Sequence, residues 1–301
     1  MEAAKVAALR QEHYNATVIG RRRVHAELFV LRLRPDAPLP AYEAGQWLQA
    51  GLGLWEPRLP DCPAESLANP ESMLQRTYSL SCAIMAEDAE RLLTPEEHDW
   101  YELYIGFDRE RATDESGAAL AARFALLEPG MRAWVGPEPR GNYTLSTVRA
   151  EDDVLFLATG TGEAPHQRMV WELLRRGHRG RIAAVVTARR RADLGYGETH
   201  ERLMRRFPPY RWLGVPTREP GVGGGRLQAL LASGALEERT GIRLDPRRCH
   251  VFLCGHPGML GRWRLVDGRK VYPEPPGMIE LLERRGYRVD PPEGVHVHFE
   301  R

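Results

Sequence analysis

Residues 153–165 read Asp153-Val154-Leu155-Phe156-Leu157-Ala158-Thr159-Gly160-Thr161-Gly162-Glu163-Ala164-Pro165. The apolar run Val154 to Ala158 suits a strand buried on both faces, and the glycines after it suit a turn opening a helix from Pro165 to Arg176. Backbone amides beside glycines can approach a pyrophosphate, and the positive end of a helix favours the anion. Pro165 stands where the third glycine of G-x-G-x-x-G would be, so the stretch is a variant of the common dinucleotide turn.

Downstream the same rhythm of strand, turn and helix repeats. Strands are expected at Ile182 to Thr187, Tyr210 to Val215, Val251 to Cys254 and Val295 to Phe299. Helices are expected at Tyr196 to Phe207, Leu227 to Ser233 and Gly277 to Arg285. Such alternation predicts a Rossmann-like parallel sheet with helices on both faces. Upstream, short strand-like runs are broken by Pro, Gly and Asp: Ala16 to Ile19, Leu28 to Leu33, Gln46 to Leu52, Arg76 to Leu80, Tyr101 to Phe107 and Met131 to Val135. These predict an N-terminal antiparallel β-barrel or sandwich. The Pro-rich, acidic stretch from Leu54 to Gln75 reads as a loop inserted between two of its strands. The expected domains are residues 1–149 and 150–301.

The 301 residues, 28% of them charged, carry a formal net charge of +1, which excludes a global basic field directed at nucleic acid. Lysine occurs only at Lys5 and Lys270, so the basic charge is almost all arginine. Cys62, Cys82, Cys249 and Cys254 include no C-x-x-C pair, and free thiols with no built-in metal centre are expected. The stretch Met1 to His13 lacks the apolar run of a signal peptide, and no run of about 18 apolar residues could span a bilayer. A cytoplasmic location is the expectation.

Two further motifs carry chemistry. Arg76-Thr77-Tyr78-Ser79 lies on an expected barrel strand, where alternation puts Arg76 and Tyr78 on one face and Ser79 on the other. A guanidinium fork and a phenol on one face could grip a diphosphate and cover a flat ring. Cys254-Gly255-His256-Pro257-Gly258-Met259 follows the apolar run Val251 to Leu253. Open parallel sheets place ligands at the C-terminal ends of their strands, so this loop and the Gly160 loop should face one cleft. Taken singly, each motif could be an ordinary barrel strand or strand-to-helix turn.

Together, and in this order, they resemble the ferredoxin–NADP reductase family. The matches are R-x-Y-S at Arg76 to Ser79, G-x-[FY]-x-L at Gly141 to Leu145, G-T-G-x-A-P at Gly160 to Pro165, T-R-E-P at Thr217 to Pro220 and C-G-x-P-x-M at Cys254 to Met259. The resemblance implies an FAD-binding barrel followed by an NADP-binding domain, with the flavin ring between them. It implies hydride exchange between NADP(H) and FAD, and single-electron exchange with ferredoxin or flavodoxin. No cysteine set for a cluster exists in the chain, so that carrier would be a separate molecule. Two alternatives stay open: an NAD(P)H-dependent reductase of free flavin, quinone or an oxygenase component, and a non-catalytic flavin-binding subunit.

By the same resemblance Arg76 would hold the FAD diphosphate with Thr77 beside it, Tyr78 would stack on the flavin, and Ser79 would hydrogen-bond near its reactive nitrogen. Tyr104 and the turn Gly117 to Leu120 look like further FAD contacts, although Ala118 and Ala119 supply no hydroxyl there. Gly160, Thr161 and Gly162 would touch the nicotinamide nucleotide. Cys254 would lie beside the nicotinamide ring, on a loop shared with Gly255 and Met259. An acidic residue at the end of the second parallel strand would suit a free ribose 2′-hydroxyl, whereas arginines suit a 2′-phosphate. That strand runs into Ala188-Arg189, and the family places 2′-phosphate contacts at the positions of Thr217, Arg218 and Arg226. NADP(H) is therefore favoured. The stretch His296 to Arg301 lacks the terminal aromatic of many relatives; Phe299 could take its covering role, and Glu300 could exchange a proton near the flavin. His296 and His298 share a strand face, without partners suited to a metal.

Overall fold

The computed structural model describes residues 2–60, 62, 69–87, 89–107, 118–219, 226–289 and 297–300. It divides into two compact units, residues 1–83 with 93–142 and residues 84–92 with 143–301.

In the first unit α1 (Ala3–His13) precedes six strands: β1 (Ala16–His25), β2 (Leu28–Pro35), β3 (Trp47–Gly53), β4 (Met73–Ser81), β5 (Tyr101–Gly106) and β6 (Arg132–Val135). Between the last two strands lies α2 (Ala118–Phe124). The strands close into the antiparallel barrel that the sequence leads one to expect, in the order β1-β2-β5-β4-β3-β6, with Ala16 opposite Ala133 at the closure. Closure removes the open edges that make a six-stranded sheet prone to association. Phe29, Leu31 and Leu33 alternate inward along β2 and meet Leu48, Leu103 and Phe124 in the core.

Two details of this unit differ from the expectation. Strand β4 starts at Met73, three residues before Arg76, because it pairs with β3 as far as Gly53. The inserted loop is shorter accordingly, and its Glu56 is a buried anchor that accepts hydrogen bonds from Arg10 (2.8 and 2.6 Å) and the Tyr14 hydroxyl (3.0 Å). The expected turn at 117–120 is instead, from Ala118 onward, the start of α2, since Leu120 and Phe124 face the barrel core one helical turn apart. Gly117 lies outside the described residues.

The second unit alternates β7 (Asp153–Thr159), α3 (Glu163–Arg175), β8 (Ile182–Ala188), α4 (Gly197–Arg206), β9 (Tyr210–Pro216), α5 (Leu227–Ala232), α6 (Ala235–Thr240), β10 (Cys249–Cys254) and α7 (Pro257–Leu260). A hairpin of β11 (Arg264–Val266) and β12 (Arg269–Val271), then α8 (Met278–Glu283) and β13 (Val297–Phe299), complete it. The strands form one parallel sheet in the order β13-β10-β7-β8-β9. Val154 to Ala158 are all fully buried, which explains why β7 is a continuous apolar run. The chain leaves β7 toward β8 on one side and later returns to β10 on the other, so strand order reverses between β7 and β10. Residues 84–92 are grouped with this unit, tied to α4 by Arg202, which donates to the carbonyls of Ala86 and Ala89 (both 3.0 Å). Among the described residues, no helix is long and apolar enough to cross a membrane.

Candidate active site

The point of strand reversal brings the two glycine loops together. After β7, residues Gly160–Gly162 form a single 3-10 turn that leads directly into α3. Gly160 has φ +54, and the space where its Cβ would stand is open. Gly162 has no such room: a Cβ there would lie 2.3 Å from the Cys254 carbonyl oxygen. Gly255, at φ +136, would place a Cβ 2.1 Å from Thr159 Oγ1. That oxygen accepts a hydrogen bond from the His256 amide at 2.6 Å. Each loop therefore needs the other's missing side chain. Thr159 and His256, which sequence reasoning passed over, are the residues that join them.

Cys254 ends β10 with 5% of its surface exposed, and its Sγ donates to Glu300 Oε2 at 2.7 Å. Burial, reinforced by the Glu300 carboxylate, pushes the thiol well above the ordinary cysteine range. It stays protonated, an uncharged donor rather than a nucleophile. Tyr143, in the G-x-[FY]-x-L motif, also belongs to this unit. Its hydroxyl lies 2.7 Å from His166 Nε2, and its ring meets Phe252 edge-on at 5.5 Å. Burial raises the Tyr143 phenol well above its usual value, with Cys254 and Glu300 adding to the effect. Burial also lowers His166 to about 3, so that imidazole is neutral.

Phe299 is a core residue of the second unit, 5% exposed, with Trp263 edge-on at 6.2 Å and Arg262 over its ring at 5.3 Å. The group that β13 brings to Cys254 is thus Glu300. Met259 is buried in the same core. His298 lies flat on Phe252, ring centroids 4.3 Å apart, and reaches His250 at 3.1 Å; His296 lies outside the described residues.

The ends of β8 and β9 are tied together at the same C-terminal edge of the sheet. The Thr217 amide and hydroxyl donate to the Ala188 carbonyl (2.8 and 3.0 Å), and the Arg218 amide donates to the Arg189 carbonyl (2.9 Å). Arg189 and Arg218 are exposed there, and Arg226, capping the start of α5, is exposed as well. Pro220, the last residue of the T-R-E-P run, is outside the described residues.

In the barrel unit Arg76 and Tyr78 share the register of the core residues Leu74 and Leu80 along β4. Arg76 is exposed and donates only locally, to the Gln75 carbonyl at 2.9 Å; among the described residues its guanidinium has no ion-pair partner. Tyr78 is half-buried against Phe124 of α2, ring centroids 5.8 Å apart, and burial raises its phenol pKa. Thr77 and Ser79 take the opposite face. The β4–β5 ladder pairs Leu80 with Leu103, both core residues, so Ser79 and Tyr104, each one position along its strand, face away from the core. Tyr104 is 4% exposed. Arg76, Tyr78 and α2 thus gather on one side of β4, and Ser79 with Tyr104 on the other.

A family model for the oxidoreductase NAD-binding domain matches residues 156–264. Over 144 residues the chain is 33% identical to the flavodoxin/ferredoxin–NADP reductase of Escherichia coli K12, covering 47% of this chain and 58% of that one. By sequence, just under half of this chain is similar to ferredoxin–NADP reductases. Ferredoxin–NADP reductase A of Sorangium cellulosum is 31% identical over 150 residues, covering 47% of this chain and 54% of its own length. The chain therefore spans little more than half the length of these reductases. A longer but weaker likeness, 27% over 232 residues and 76% of this chain, is to the reductase component of phenol 2-monooxygenase from Pseudomonas sp. CF600. The solved ferredoxin NADP+ reductase of Neisseria gonorrhoeae, with bound FAD and NADP, shares the fold across 95% of this chain and 97% of its own, with TM-score 0.68 and 18% identity.

Proposed function

We propose that the chain is a cytoplasmic, FAD-dependent ferredoxin (or flavodoxin)–NADP+ oxidoreductase. Residues 1–149 would hold FAD and residues 150–301 NADP(H). The observation that carries this reading is the meeting of the Gly160–Gly162 turn with the Cys254–Gly255 loop at the point of strand reversal, where open parallel sheets bind dinucleotides. The residues fit both groups. The open space over Gly160 is where a side chain would block a phosphate, and Arg76 offers the barrel's diphosphate an exposed guanidinium beside the half-buried ring of Tyr78. Four buried cysteine thiols, none in a disulfide, suit a reducing compartment.

Bound FAD would supply the chemistry, two-electron uptake of a hydride from NADPH and release of electrons one at a time. The chain's part is orientation and proton control. Gly160, Thr161 and Gly162 would seat the dinucleotide. Cys254, held protonated and aimed by Glu300, would present an uncharged edge to the nicotinamide, and Glu300 would take up or return a proton at its carboxylate. Ser79 and Tyr104 would line the flavin from the barrel strand, and Thr217, Arg218 and Arg226 would bind the 2′-phosphate.

The test is turnover of the purified chain loaded with FAD, first from NADPH to ferricyanide and then to a ferredoxin or flavodoxin coupled to cytochrome c. Reduction of both is expected, the second weakening with added salt. Ferricyanide turnover without any protein acceptor would favour the second reading, to which the long match to the phenol monooxygenase reductase component points: a reductase serving an oxygenase.

A further inference from the structure

Beneath the Gly160–Gly162 turn lies a hydrogen-bonded chain that the reading above does not use. Glu163, His200 and Tyr210 are 2%, 1% and 0% exposed. His200 Nε2 is 2.7 Å from Glu163 Oε1, and His200 Nδ1 is 2.6 Å from the Tyr210 hydroxyl. The imidazole is stacked on Trp212, with centroids 5.2 Å apart and planes 15° apart. Burial holds the Tyr210 phenol far above its usual range, so the hydroxyl keeps its proton within the hydrogen bond to Nδ1. Gln167, one turn along α3, brings its amide Nε2 to 2.8 Å from the same His200 Nε2.

The placement of Glu163 poses a physical problem. It is the first residue of α3, and the amides at a helix start attract any anion, a carboxylate as readily as a phosphate. A free carboxylate here would fold back on the amides of the turn and repel a pyrophosphate brought to them. A buried one without a partner would carry an uncompensated charge. His200 solves both by reaching from α4 and taking the carboxylate inward, while Tyr210 on β9 and Trp212 fix the plane of the imidazole.

We propose that the Glu163–His200–Tyr210 chain is a positioning device that draws the Glu163 carboxylate away from the Gly160–Gly162 amides and keeps the dinucleotide-binding end of α3 clear of competing negative charge. The inference rests on the reading of that turn as the dinucleotide site. Glu163 and His200 are positioning residues in it, acting through the turn and not on the reacting atoms.

The sign of a double substitution tests it. Calorimetric titration of the FAD-loaded protein with NADP+ is made for wild type, H200F, E163Q and E163Q/H200F, with melting temperature and bound FAD as controls. H200F keeps a ring against Trp212 but leaves the carboxylate unpaired, and weakening of NADP+ binding by at least about tenfold is expected. Adding E163Q removes the stranded charge and should restore binding to within about threefold of wild type. E163Q alone should bind NADP+ at least as tightly as wild type, and this variant carries the test if H200F does not fold. The proposal is overturned if H200F binds like wild type, if the double variant binds no better than H200F, or if E163Q alone binds tenfold more weakly. Wild type that binds FAD but not NADP+ would instead overturn the reading of the turn itself.

Discussion

Arg218, just past β9, and Arg226, capping the start of α5, are exposed, and both are proposed to bind the 2′-phosphate. Replacing both with Ala should raise the KM for NADPH at least about tenfold, the worth of one or two charge-assisted hydrogen bonds, and leave that for NADH nearly unchanged; steady-state kinetics with the two nucleotides checks this. His166 makes a prediction about pH. Burial lowers its pKa from 6.5 to about 3, so between those values the unfolded chain binds a proton that the folded chain refuses. Stability should then fall as pH drops through that window, with His166 contributing up to about 1.4 kcal/mol per pH unit. Urea unfolding of His166→Gln between pH 6 and 4 should show a slope shallower by that amount, and an unchanged slope would place the proton elsewhere. The candidate residues that sequence alone singled out were those whose chemistry is local, such as the glycines, Arg76 and Cys254. His166, His200 and Glu163 were not, because each acquires its role from a partner at least 10 residues away, as Tyr210 is from His200 and Glu163 is by 37 positions. No local spacing announces such pairs.

At the scale of elements, the loops after β7 and β10 act as one piece, since each leaves out a side chain that the other's backbone would strike. Gly255→Ala asks for a left-handed φ of +136 and drives a methyl group into Thr159 Oγ1. A cost of about 1–3 kcal/mol is expected, seen as a lower melting temperature of the second unit. NADP+ affinity should drop with it while FAD stays bound. Retained NADP+ affinity would show that the paired loops are not the dinucleotide seat. Every barrel strand and every parallel strand was legible, because alternation and fully apolar runs are properties of the strand itself. The elements that sequence reading missed lack such a pattern. Of the residues of α1 only Leu9 is buried, and the helix is held by the Arg10–Glu56 ion pair rather than by an apolar stripe. The β11–β12 hairpin is exposed along both strands, and its one local signal was Asp267-Gly268, which takes the two positive φ values of a tight hairpin turn, 49° and 75°.

At the scale of the whole molecule, each unit has its own core, the barrel closed on Phe29, Leu48 and Leu103, and the parallel sheet covered by helices around Leu155, Val185 and Val251. The division of labour proposed for them, FAD with the barrel and NADP(H) with the sheet, makes a demand that neither unit can meet alone: a bound flavin must be reduced by the nucleotide that the second unit selects. The most direct test is the absorption spectrum of the purified protein, followed anaerobically after addition of NADPH and, separately, NADH. The account predicts flavin bands that bleach much faster with NADPH. A colourless protein that takes up no added FAD would contradict it.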